Sequence, residues 1–180
     1  MAARTAKSLL EEARAAKREH RLEDARRLFE ESLRESRTSE DRAMCATLYE
    51  ELAYVERNLS DLETSQRHYC QASEIYRSLG NPLKTAHTVR HAADILREQK
   101  KPDLAAPLYA ESLENYHRHK DTPPLDLANA IRGFALLKEQ TGDPKGALSL
   151  WREARDLYEL TGIETAVSES DARIRSLSVD

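Results

Sequence analysis

Four columns of side chains recur through this 180-residue chain at nearly constant spacing. Ala25, Ser65, Ala105 and Ala147 stand 40, 40 and 42 residues apart. Twelve residues before each comes Ala13, Ala53, Ala93 and Ala135, and four residues after each comes Phe29, Tyr69, Tyr109 and Trp151. Seven residues after each comes Ser32, Ala72, Ser112 and Ala154. Spacings of three and four keep residues on one helical face. The small residues let two helices approach closely, and the aromatic fills the space between them and reaches the next copy. Two helices cannot bury such a face alone, so the copies must stack. Tyr76, Tyr116 and Tyr158 form a further column in the later copies.

Punctuation gives two helices per copy. Asn81-Pro82, Lys101-Pro102 and Asp143-Pro144 put proline at a first helical position, where its missing N–H is not needed. Gly80, Gly142 and Gly162 fall where a helix ends in the left-handed conformation. Ser60-Asp61-Leu62-Glu63 reads as a capping box with Ser60 as the N-cap. Helices are predicted near 5–18, 22–37, 40–57, 60–79, 82–99, 102–119, 124–141 and 144–161, with a ninth near 163–177. Pro107, one turn inside its helix, is expected to bend it or shift its start. Residues 120–124 read as a loop within the stack. The ninth helix carries Ile163, Val167, Ile174 and Leu177 on one face and charged residues on the other, which suits a terminal cap. The chain therefore reads as one domain over 1–180, with repeats at about 5–38, 39–80, 81–121 and 122–162 and a capping helix at 163–178.

Composition narrows the function. Lys plus Arg is 28 against 32 for Asp plus Glu, a net charge of −4, which argues against a specific nucleic-acid partner. Gly (5) and Pro (6) are too few for a turn-rich β-sandwich. The first twenty residues hold five basic residues and no apolar core, so no secretory signal is read. Apolar runs are far shorter than the roughly 20 residues that span a bilayer. The expectation is a cytoplasmic protein without membrane contact, with Cys45 and Cys70 as reduced thiols. No nucleophile motif and no glycine-rich phosphate loop is present, so no catalytic residue, cofactor or metal is expected. His87 and His91 have a metal-ligand spacing but no evident third ligand.

The columns Ala13/Ala25/Phe29/Ser32, Ala53/Ser65/Tyr69/Ala72, Ala93/Ala105/Tyr109/Ser112 and Ala135/Ala147/Trp151/Ala154 resemble the tetratricopeptide repeat. Two departures stand out. Leu9, Tyr49, Val89 and Ile131 replace the family's first-helix tryptophan, and the repeat is 40–42 residues rather than 34. Longer repeats with Tyr-x-x-x-Gly before the next helix (Tyr76 to Gly80, Tyr158 to Gly162) look like those of bacterial sensor and regulator proteins. The resemblance implies an all-α, right-handed superhelix whose first helices line a concave face that binds extended segments. The family's chaperone-binding carboxylate clamp is not implied. Leu10, Arg14, Glu51, His87 and His91 stand at the positions where it needs lysine, asparagine and arginine.

Alignment to the family places Arg14, Arg18, Tyr54, Arg57, Asn58, His87, Arg90, Arg97, Asn129 and Arg132 on that face as partner-binding candidates. Among the charged residues aligned inward, Lys7, Lys17 and six of these arginines outnumber Glu50, Asp94, Glu98 and Glu139. An acidic segment would suit such a trough. Tyr54 is either a stacking residue or an ordinary wall. The leading expectation is a non-catalytic scaffold that binds a protein or peptide segment. The alternatives are a module that senses a small ligand or signalling peptide, and a self-assembling homodimer.

Overall fold

A computed structural model describes residues 4–178, and among these residues the regular structure is nine α-helices with no strand. They are α1 (Ala6–Arg18), α2 (Leu22–Thr38), α3 (Arg42–Asn58), α4 (Leu62–Ser78), α5 (Pro82–Glu98), α6 (Pro102–Arg118), α7 (Pro124–Gln140), α8 (Pro144–Thr161) and α9 (Glu164–Leu177). All nine lie within two residues of the ranges read from punctuation.

The half-repeat has its own period. Residues with positive φ occur at His20, Glu40, Ser60, Gly80 and Lys100, then at Gly142 and Gly162. Each closes a helix with the same two hydrogen bonds. At the end of α4, Gly80 N–H donates to Arg77 C=O at 3.1 Å and Asn81 N–H to Tyr76 C=O at 3.0 Å. These satisfy carbonyls the helix leaves open. At four of them the residue that follows caps the next helix with its side chain. Asp41, Asp61, Asn81 and Asp143 accept from the backbone N–H three residues on, at 2.9 to 3.1 Å. The N-cap expected at Ser60 is instead Asp61, whose side chain accepts from Thr64 N–H without the reciprocal bond of a capping box, and Ser60 (φ 68°) is the left-handed residue before it. After α6 the pattern breaks. His119 is extended, and a longer link through Pro123 supplies the two residues that stretch this repeat to 42. Pro107 sits inside α6 without moving its start from Pro102.

Only three of these seven left-handed positions carry glycine. Left-handed backbone costs a residue with a Cβ about 1–2 kcal/mol. Lys100→Gly (φ 58°) should raise the stability by up to about 1 kcal/mol, measured by urea unfolding, because relief of strain outweighs the flexibility gained by the unfolded chain.

The chain divides into two compact units, one ending at Thr88 and the other beginning at Val89, within α5. In the first, Leu9, Ala13, Ala25, Phe29, Leu48, Leu52 and Val55 form one buried cluster with Ala72 and Tyr76. The small columns work as close-approach points. Ser65 Oγ donates to Ala53 C=O at 2.6 Å, and Ser32 Oγ to Ala6 C=O at 2.7 Å. In the second unit, Tyr109 packs with Ala93, Leu96, Ala105 and Leu137, and Trp151 with Ala135 and Ala147. Ile174 and Leu177 of α9 cover Trp151. One column resident is out of character. Glu56 occupies the place held by Ala16 and Leu96 and is 4% exposed. Its Oε2 accepts no hydrogen bond, and the nearest cation, Arg26 Nη1, lies 3.7 Å away. Burial pushes its carboxyl above the ordinary 4.5, against the pull of Arg26.

Because the folded pKa is the higher one, the native state binds this proton more readily than the unfolded chain does. The strain from Glu56 is therefore full at neutral pH and is relieved as pH falls through the folded pKa. Glu56→Leu should stabilise by about 1–3 kcal/mol at pH 7, the usual toll of an unsatisfied buried polar group. That gain should shrink as unfolding is repeated at progressively lower pH.

Candidate functional site

Within each unit, neighbouring first helices are joined by charged contacts with a recurring sequence separation of 34 or 37 residues. In the first unit, Glu51 of α3 takes Arg14 Nε at 2.8 Å and Lys17 Nζ at 2.5 Å, both from α1. Its neighbour Glu50 takes Lys84 Nζ at 3.3 Å and lies 3.4 Å from His87 Nε2, a contact that is an ion pair only with the imidazole protonated; both partners come from α5. In the second unit, Arg132 of α7 meets Glu169 of α9 through Nε and Nη2, at 2.7 and 2.8 Å. Glu139 of α7 accepts from Arg173 of α9 at 3.0 Å. The same separations show that α9 occupies the place of a first helix. Burial works against the Glu51 charge, but the bonds from Lys17 and Arg14 outweigh it and hold its carboxyl below the ordinary value.

The second helices reach this face through their aromatic residues. Trp151 Nε1 donates to Glu139 at 2.5 Å, and Arg97 Nε donates to Tyr109 Oη at 3.2 Å. In both, the first-helix residue lies twelve positions earlier. Tyr76 Oη donates to Glu50 at 3.0 Å, and Tyr158 Oη to Asn129 Oδ1 at 2.9 Å. Burial pushes the Tyr158 hydroxyl up to about 12, so it remains a donor throughout the physiological range.

The sequence candidates separate on this geometry. In the first unit, Arg14 is held by Glu51, and Tyr54 is 46% exposed with Lys17 Nζ 4.7 Å from its ring centre. Asn58 donates to the Tyr54 carbonyl of its own helix at 2.8 Å. His87 meets Glu50, Arg57 is half-buried, and Arg18 is exposed near the end of α1. In the second unit, Arg90 pairs with Asp94 at 2.8 Å, and Arg97 lies 3.8 Å from Glu98. Asn129 and Arg132 share a cavity with Tyr158 and Glu169. Leu10, aligned inward by sequence, is instead a core residue at 5% exposure. The two histidines with metal-ligand spacing take different neighbours: His91 lies beside Arg90, with contacts of 2.8 and 3.1 Å. Among the described residues no group of three or more His, Cys, Asp or Glu is arranged to hold a metal ion, and no helix is long and apolar enough to cross a membrane.

Sequence reasoning by repeat column missed Glu51, Lys84, Glu169 and Arg173. Their signal is a basic and an acidic residue 34 or 37 apart, shorter than the repeat itself. That is the offset between facing positions on adjacent first helices, not between equivalent ones.

Residues 43–118 match a family model described as a tetratricopeptide repeat. A search of curated proteins by sequence finds no match. Among solved structures, this fold is similar to BtubC (BKLC) from P. vanneervenii, with a TM-score of 0.80 and 18% identity over 87% of this chain and 64% of that one. It is also similar to a Rap protein complexed with competence and sporulation factor, with a TM-score of 0.75 and 16% identity over 96% of this chain and 48% of that one. The apo form of RapI aligns with a TM-score of 0.82 and 14% identity, over 96% and 47% of the two chains. The chain thus spans between about half and two-thirds of the length of these proteins.

Proposed function

We propose that this chain, a helical-repeat protein whose residues 43–118 carry the tetratricopeptide repeat, is a non-catalytic scaffold that binds an extended protein or peptide segment on the exposed face of its first helices. The observation that carries this reading is the set of charged contacts between first helices. It braces neighbouring first helices within each unit without covering Tyr54, which stays 46% exposed beside Lys17. A braced surface loses little freedom when a ligand settles on it, which favours binding. The acidic preference expected from the arginines finds less support. Arg90 and Arg132 give their charge to Asp94 and Glu169, so the segment we favour is of mixed polarity.

The test begins with peptides selected from a random displayed library on the purified chain. For a peptide seated on the first unit, Tyr54→Ala should weaken binding about tenfold or more, as loss of an aromatic anchor does. Its thermal melt should stay near that of the parent chain, since so exposed a ring contributes little to the core. Selected peptides indifferent both to Tyr54 and to the Asn129 region would rule out this face. The Rap structure that holds competence and sporulation factor favours a second reading, a module that senses a signalling molecule on the same face. Under that reading the selected peptides would share one short consensus rather than a broad composition.

A further inference from the structure

The cavity shared by Asn129 and Arg132 lies wholly within the second unit, between the start of α7, the end of α8 and the start of α9. It measures about 260 Å³ and opens to solvent. That is below the roughly 300–1,000 Å³ of pockets that enclose a whole small ligand, but ample for one side chain.

Its polar groups are unevenly committed. Tyr158 Oη donates to Asn129 Oδ1, which turns the amide nitrogen of Asn129 away from the tyrosine. Arg132 spends Nε and Nη2 on Glu169. Among the described residues, Asn129 Nδ2 and Arg132 Nη1 donate no hydrogen bond, and Thr165 Oγ1, also in the lining, has no partner. The ion pair cancels the charge of both its members. Leu125, 37% exposed, and Ile163 supply apolar wall.

On the reading that this face binds an extended segment, we propose that the cavity takes the side-chain carboxamide of an asparagine or glutamine in that segment. The carboxamide oxygen accepts from Asn129 Nδ2 and Arg132 Nη1. Its NH₂ donates to Thr165 Oγ1 or to a spare lone pair of Glu169, and its methylene stem lies against Leu125 and Ile163. A carboxylate fits less well, because it offers no donor and adds a second negative charge beside Glu169. An aliphatic side chain fits worst, because it strips water from Asn129 and Arg132 without replacing it.

The test uses the full chain, labelled with ¹⁵N, titrated in turn with N-acetylglutamine amide, N-acetylglutamate amide and N-acetylleucine amide. The glutamine probe should shift the Asn129 side-chain NH₂ and the Thr165 and Ala166 amides in a saturable way. It should bind about tenfold more tightly than the other two, the worth of about one good hydrogen bond. Asn129→Ala should remove that preference, with circular dichroism confirming the helices. Equal response to the leucine probe, tighter binding of glutamate, or no shift at these residues would overturn the proposal. If selected peptides still bind at Tyr54 while the glutamine probe leaves Asn129 unmoved, this proposal fails and the scaffold reading stands. If the glutamine probe binds as expected but no selected peptide sits on the first-helix face, the scaffold reading fails instead.

Discussion

Trp151→Ala should destabilise the protein by about 3–5 kcal/mol. Trp151 is fully buried at the join of α7, α8 and α9, against Ala135, Ala147, Ile174 and Leu177. Alanine leaves a void the size of an indole, which the short side chains of Ala135 and Ala147 cannot fill. It also strips Glu139 of the Nε1 hydrogen bond at 2.5 Å, leaving Arg173 as its partner on α9. A total stability of roughly 5–15 kcal/mol leaves little margin against such a loss. Since neighbouring helices in a stack hold one another, protection from hydrogen exchange should fall throughout α7–α9. Trp151→Phe separates the two causes, keeping most of the volume and losing only the hydrogen bond. It should be much milder, about 1–2 kcal/mol. Equal losses in the two variants, read by urea unfolding, would show that packing around the ring contributes little.

The second large effect inverts the usual sign. Gly133 lies in the middle of α7, where glycine-to-alanine ordinarily stabilises by about 1 kcal/mol. Here a Cβ would stand 2.7 Å from Tyr109 Cε1, 2.8 Å from Asp94 Oδ1 and 2.9 Å from Tyr109 Oη. Neither neighbour can easily yield. Tyr109 is fully buried, stacks on Phe134 with ring centres 5.6 Å apart, and donates to Asp94 at 2.6 Å. Asp94 is held in turn by Arg90 at 2.8 Å. Gly133→Ala should therefore destabilise by about 1–3 kcal/mol, the range for overpacked cores. An increase in stability, measured by the same unfolding, would show that the cluster has room to shift.

These two residues also show how far the sequence was legible. Trp151 belongs to a fourfold column, so its burial followed from spacing alone. Gly133 belongs to no column, and its neighbours in equivalent places are Glu51 and His91. Its reason is a three-body contact that only packing reveals. Helix boundaries were readable because proline, aspartate and asparagine cap visibly. The left-handed ends at His20, Glu40, Ser60 and Lys100 were hidden because no glycine marks them, although they fall every 20 residues in step with Gly80. For the proposed site, the column alignment names Tyr54, Asn129 and Arg132 as candidates. It could not tell a free arginine from a paired one. Charge pairing depends on the offset between adjacent helices, which is 34 or 37 residues and not the repeat length.

The most direct measurement is the footprint of a library-selected peptide on the ¹⁵N-labelled chain. Binding on the first-helix face predicts shifts that fall on exposed or half-buried residues of α1, α3 and α5 in the first unit, such as Lys17, Tyr54 and His87, or on Asn129, Arg132 and Glu169 in the second. The outer residues of α2, α4, α6 and α8, such as Arg27, Arg67 and Glu114, should stay unmoved. A footprint centred on those second helices would contradict the account, however tightly the peptide bound.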